Sequence, residues 1–277
     1  LSINLAILLI GNNLIHLLAI FAVAVIYFIR NKDWKIIAFI LSCVFLMSAS
    51  KSVITNYYEV KSQKEIAEGV PKITWIAMGM QEGEREAGWW NRFNYDIMPE
   101  EEYDTKRIIE ISKTSMKQRL NVFRDNPKYA FDFYQRKYEN QFIEPTFQSL
   151  LVTAPQRNFS NETTLEKIRD FFVKQIYFNH THTVLEFIMK VFQVFVYLFT
   201  FVFAVVMYKR KNEFFAIIPI AFIGGTLFNM IWEAKSRYIF PYFVFLIPLA
   251  AYGLVIVRNK IKEYKKLKEE KDEKSTI

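Results

Sequence analysis

Near the end of the chain the segment WEAKSRYIFP, residues 232–241, sets a carboxylate and a guanidinium four positions apart. On a helical turn that spacing puts Glu233 and Arg237 on one face as a pair. Arginine presents a planar fork of donors that fits phosphate oxygens, so an arginine at a bilayer surface can reach a lipid phosphate. The plainer alternative is an interfacial loop in which Lys235 and Arg237 sit beside Trp232 and Tyr238. A second cluster, EGEREAGWWN at residues 82–91, joins Glu82, Glu84 and Glu86 to Gly88, Trp89, Trp90 and Asn91. Carboxylates, an amide and indole faces are what a sugar-binding cleft needs, because hydroxyls seek acceptors and the ring's C–H face stacks on indole. A solvated charge run beside interfacial Trp has the same composition.

Other reactive residue types are sparse. His180 and His182 precede an apolar run and would ligate a metal only if carboxylates joined them; interfacial histidines on different sides of a helix fit as well. Asn158, Asn161 and Asn179 stand in the Asn-x-Ser/Thr glycosylation pattern. The single cysteine, Cys43, lies within an apolar stretch as a small packing residue. Gly224 and Gly225 allow helices to approach or kink. The sequence contains no CxxC, GxSxG, P-loop or HExxH motif.

The elements that must position these residues are membrane helices. The 277 residues are 52% hydrophobic, with 27 Phe and a net charge of +8. One cysteine excludes a disulfide scaffold, and so high an apolar content excludes a disordered chain. The charge is unevenly spread. Residues 58–183 carry 18 Lys and Arg against 19 Asp and Glu, a net of −1, and the rest of the chain carries 18 against 9, a net of +9. The near-neutral middle gives no indication of nucleic-acid binding. A span needs about 20 mostly apolar residues, and five stretches approach that: about 13–29, 36–50 (reaching 53 if Lys51 snorkels), 184–207, 214–231 and 239–257. Residues 1–10 form a half-buried or re-entrant piece.

Cytoplasmic loops are enriched in Lys and Arg. Arg30, Lys32 and Lys35, then Lys209, Arg210 and Lys211, then eight basic residues after Val257 all fall on one side. The expectation is therefore a multi-pass integral membrane protein with spans in 1–57 and 184–257, an extracytoplasmic α-rich domain at 58–183, and a basic cytoplasmic tail at 258–277. A sequence that opens outside the membrane, without an initiator Met, reads as the C-terminal portion of a longer chain. Within the polar middle, Ile73 to Met78 reads as a strand, Gln81 to Asn94 as a loop, and Pro99 with Glu100, Glu101 and Glu102 as a helix start. That helix would carry the stripe Ile108, Ile109, Ile111, Met116 and Leu120. A second helix begins at Asn126-Pro127 with Tyr129, Phe131, Phe133, Tyr134 and Phe142 on one face, and a third is capped by Thr163 or Thr164 and runs on toward Val184.

The order of these features resembles bacterial membrane glycosyltransferases of the protein-mannosyltransferase-like branch of the GT-C superfamily. The features concerned are Trp75-Ile-Ala-Met78-Gly79, the Gly88-Trp89 loop, Phe133 to Lys137, Glu144 to Phe147, and Glu233 to Tyr238 before Pro241. The resemblance implies transfer of a sugar from a polyprenyl-phosphate donor to a glycan, lipid or protein acceptor at the outer face, in contact with membrane lipids. It implies lipid-phosphate binding by Arg237, positioned by Glu233 and Tyr238, and a cleft lined or supported by Trp75, Met78, Gly79, Gly88, Trp89 and Asn91. It places the acidic base upstream of this sequence, assigns no residues to a metal, and leaves the use of a divalent ion open. The competing class is a noncatalytic membrane protein, a transport, export or sensor subunit with an outer domain.

Overall fold

The computed structural model describes residues 2–66, 69–150, 163–178, 180–210 and 213–275. These residues form helices and no strand: α1 (Ser2–Leu9), α2 (Leu14–Asn31), α3 (Lys35–Ser62), α4 (Lys72–Gly79), α5 (Phe93–Glu100), α6 (Thr105–Asp125), α7 (Pro127–Glu139), α8 (Thr164–Phe178), α9 (His180–Lys209), α10 (Ile217–Ile231) and α11 (Ser236–Ser275). Five segments are long and apolar enough to cross a membrane: Gly11–Asn31, Lys35–Ser62, His180–Lys209, Glu213–Ile231 and Ser236–Lys271. The protein is a membrane α-helical protein. Two of the helices outrun the expected spans. α3 has 28 residues and encloses Lys51, and α11 has 40, about 60 Å at 1.5 Å per residue, roughly twice the hydrocarbon thickness of a bilayer.

The chain divides into two compact units, Leu1–Gln141 with Glu213–Lys235, and Phe142–Asn212 with Ser236–Ile277. The polar middle thus contributes to both. In the first unit α10 packs along α2, close enough at Gly224 that an added Cβ would lie 3.2 Å from Ile15. Arg30 pairs with Glu213 at 2.6 Å and Tyr27 meets Phe214, so the end of α2 and the approach to α10 lie at the same end of this helix pair. At the opposite end of α10 the chain meets the polar helices, where α4 packs on α5 and α6, and α6 on α7. Their core is Met80, Ala87, Phe123 and Phe133. Arg119 lies over the Phe123, Tyr129 and Phe133 rings and donates to the Met80 carbonyl at 2.6 Å.

In the second unit α9 packs along α11. Val196, Phe203 and Met207 are buried, as are Tyr242, Phe243, Leu246 and Ala250. The backbones approach so closely that a Cβ on Gly253 would collide with the Phe199 carbonyl. The turn before α8 is a reciprocal cap: the Thr163 hydroxyl accepts from the Glu166 N–H at 3.2 Å, and the Glu166 carboxylate accepts from the Thr163 N–H at 3.0 Å. Its continuity into α9 at position 179, and the acceptors Asn158, Asn161 and Asn179, lie outside the described residues.

Several local expectations are corrected. Residues 73–78 are helical, because Thr74, Ala77 and Met78 are the buried ones, the i, i+3, i+4 period of a helix. The Pro71 carbonyl accepts from both the Thr74 N–H at 3.0 Å and the Thr74 hydroxyl at 2.8 Å, which fixes the first turn. Pro99 lies in the last turn of α5. α6 begins at Thr105 instead, where the Asp104 carboxylate caps the Lys106 and Arg107 N–H groups. The buried face of α6 runs through Ile108, Ser112 and Phe123, and Leu120 is exposed. On α7 Phe133 is buried but Phe131 points outward. Phe142 follows the helix and pairs with Tyr197 in the second unit.

Candidate functional site

The polar helices of the first unit bring two glycines and a lysine together. Gly88 adopts φ +70°, a left-handed conformation that favours glycine. A Cβ there would lie 2.6 Å from Lys137 Cε, and a Cβ on Gly79 would collide with the Trp232 carbonyl. The aliphatic stem of Lys137 fills the space beside Gly88, and its ammonium group donates to the Gly79 carbonyl. No part of Lys137 is exposed. Burial pushes it down to about 7, against the opposing pull of the Glu233 carboxylate.

Glu233 anchors the neighbouring loop. It pairs with Lys235 at 2.5 Å and accepts from the Trp90 N–H at 3.2 Å. The Ala234 N–H donates to the Gly88 carbonyl at 3.1 Å, and the Lys235 ammonium lies over the Trp89 ring. Trp232 stacks on Trp75 with the planes 10° apart. The segment after α10 is therefore stitched to the loop between α4 and α5. Of the residues singled out by sequence, Trp75, Gly79, Gly88, Trp89, Asn91 and Glu233 belong to this assembly. Met78 is wholly buried.

Arg237 and Tyr238 belong to the second unit. Residues 232–235 precede the helix, so the same-face argument for Glu233 and Arg237 does not apply; Glu233 pairs with Lys235. Arg237 stands exposed in the first turn of α11, where its guanidinium donates to the Tyr238 hydroxyl at 3.0 Å and lies over that ring. His182 bonds the Ile176 carbonyl and faces Glu186 at 3.3 Å. Among the described residues no three His, Cys, Asp or Glu converge as a metal site requires.

Beside the stitched loop opens a cleft of about 610 Å³ lined by residues of 81–97, among them Glu82, Glu84, Trp90, Asn91 and Asp96. Burial raises the Glu82 carboxyl, but hydrogen bonds from Tyr129 at 2.7 Å and Arg136 at 2.6 Å outweigh it and hold it below its ordinary value. Glu82 is thus a fixed carboxylate at the cleft edge. Sequence reading missed Lys137 and Lys235 as partners of this region. The available signal was a lysine four residues after Phe133, on the apolar face of α7.

Residues 1–255 match the model of a family described as a conserved hypothetical integral membrane protein. The chain belongs to that family. The match covers every site residue above, and the family's description gives a location without a chemistry. No curated protein and no solved structure matches the chain.

Proposed function

We propose that this integral membrane protein is a glycosyltransferase that moves a sugar from a polyprenyl-phosphate donor to an acceptor at the outer membrane face. The observation that carries the reading is Arg237, exposed in the first turn of a membrane-length helix with its guanidinium braced by Tyr238. The positive end of α11 and the Arg237 fork both favour an anion. A lipid-linked donor confines the reaction to the bilayer surface, and a fixed cation there offsets the charge that develops on the departing phosphate. In this reading 58–183 is extracytoplasmic and 258–277 cytoplasmic, supported by the basic residues near 30–35 and 209–211 and by the Arg30–Glu213 pair at one end of the α2–α10 pair.

Arg237→Ala lowers sugar release from a polyprenyl-phosphate donor in membranes about 100-fold, the cost of removing one well-placed transition-state donor. Arg237→Lys retains part of the rate. Equal turnover of parent and Arg237→Ala removes Arg237 from the mechanism. A second reading, a noncatalytic membrane subunit, is favoured by the engagement of Glu233, whose carboxylate is occupied by Lys235 and the Trp90 N–H. It predicts no sugar release by any variant.

A further inference from the structure

Two clefts in the first unit share Phe93 as a lining residue. One is the cleft of about 610 Å³ described above; the other, of about 600 Å³, is lined by Glu101, Arg107, Glu110, Thr114, Ser115 and Gln118. Each is of the size that takes a small ligand. A line of side-chain hydrogen bonds runs from one into the other: Asn91 Nδ2 donates to Gln81 Oε1 at 3.2 Å, and Gln81 Nε2 donates to the Ser115 hydroxyl at 2.8 Å. The Phe93 N–H donates to Asn91 Oδ1 at 3.1 Å and fixes that amide's orientation.

Much of the charge around the two clefts is already paired. Arg92 meets Asp96 at 3.3 Å, Arg107 meets Glu101 at 3.1 Å, and Glu82 is held by Arg136. The aromatic residues of the lining are Phe93, common to both clefts, and Trp90, which lines the first and whose backbone N–H is held by Glu233. From this arrangement we infer that the paired clefts bind a neutral saccharide chain laid across Phe93. Hydroxyl groups both donate and accept, so they suit a lining in which carboxylate, amide, hydroxyl and guanidinium groups alternate, while the C–H face of a sugar ring covers Trp90 or Phe93. An extended peptide fits less well. The described residues offer no sheet edge for its backbone, and the large apolar side chains of the lining are Trp90, Phe93, Ile97 and Ile111, two of them aromatic faces suited to a sugar ring. The inference deepens the transferase reading by placing the acceptor, and it rests on that reading only for the word acceptor.

The test is saturation-transfer NMR on the full chain in lipid nanodiscs, with maltotetraose, cellotetraose and chitotetraose as probes and an uncharged polar tetrapeptide as competitor. Transfer to ring C–H protons of at least one saccharide is expected. Trp90→Ala weakens binding about tenfold, the loss of one stacking face. The exposed substitutions Glu84→Gln and Gln118→Ala also reduce the signal and guard against misfolding of the tryptophan variant. Lys260→Ala, on the tail of α11, leaves it unchanged. The inference is overturned by absence of saccharide signal at millimolar concentration, by a signal indifferent to all three cleft substitutions, or by displacement of the saccharide by the peptide. Binding that persists without sugar release removes the transferase reading alone; release without binding removes the cleft alone.

Discussion

Lys137 is the residue whose chemistry departs furthest from its type. In the unfolded chain it holds its proton up to the ordinary lysine range, while in the folded protein it loses it at about 7. Between those values the unfolded state binds the extra proton, so stability rises with pH from about 7 up to the ordinary lysine range, by at most about 1.4 kcal/mol per pH unit, and levels off below about 7, where both states hold the proton. Thermal unfolding of the detergent-solubilised protein at pH values between about 6 and 9 should show that slope, and Lys137→Met should flatten it. An unchanged slope in the variant assigns the effect elsewhere. Gly88→Ala adds a Cβ in a left-handed conformation and against the Lys137 stem, costing about 1–3 kcal/mol in the same assay. A variant as stable as the parent contradicts that crowding. At this scale the sequence showed the tryptophans, glycines and carboxylates of the loop, because their types are conspicuous. Lys137 and Lys235 escaped because their roles depend on burial and on partners 58 positions away at Gly79 and two positions away at Glu233.

At the scale of elements, apolar length was legible and local period was not. All five spans appear at their expected places because a run of apolar residues is a property of the chain alone. Ile73 to Met78 misled because a short β-branched and aromatic run fits a strand or a buried helix equally. What decides it is contact with Trp232, more than 150 residues away. Pro99 misled because proline fits a helix's first turn, yet here Asp104 caps the next helix and leaves Pro99 in the last turn of α5. The close crossing at Gly253 belongs to the pairing of α9 with α11. Gly253→Ala forces the Phe199 carbonyl away and separates the two helices, at a cost of about 1–3 kcal/mol. Loss of a disulfide-mapped proximity between cysteines placed at positions 200 and 246, where the Thr200 hydroxyl donates to the Leu246 carbonyl at 3.3 Å, would report the separation, and undiminished crosslinking would refute it.

For the whole molecule, sidedness is the property most open to measurement. In a Cys43→Ser background, Glu84→Cys should react with a membrane-impermeant maleimide on intact cells, and Lys268→Cys only after permeabilisation. The reverse pattern inverts the proposed orientation and removes the outer-face transferase with it. The division into two interleaved units was not legible in the sequence, where the polar residues 58–183 read as one domain, because such a division depends on which distant segments touch. That interleaving has a consequence for biosynthesis. Lys137 leaves the ribosome 96 residues before Glu233, about 5–20 s earlier at about 5–20 residues per second. Throughout that interval the nascent polar helices hold a lysine site whose carboxylate neighbour has not been made, and Trp90 has no side chain to fix its N–H. The loop can set only after α10 has been translated and threaded back, so insertion of the fourth span is the step that times maturation of the cleft.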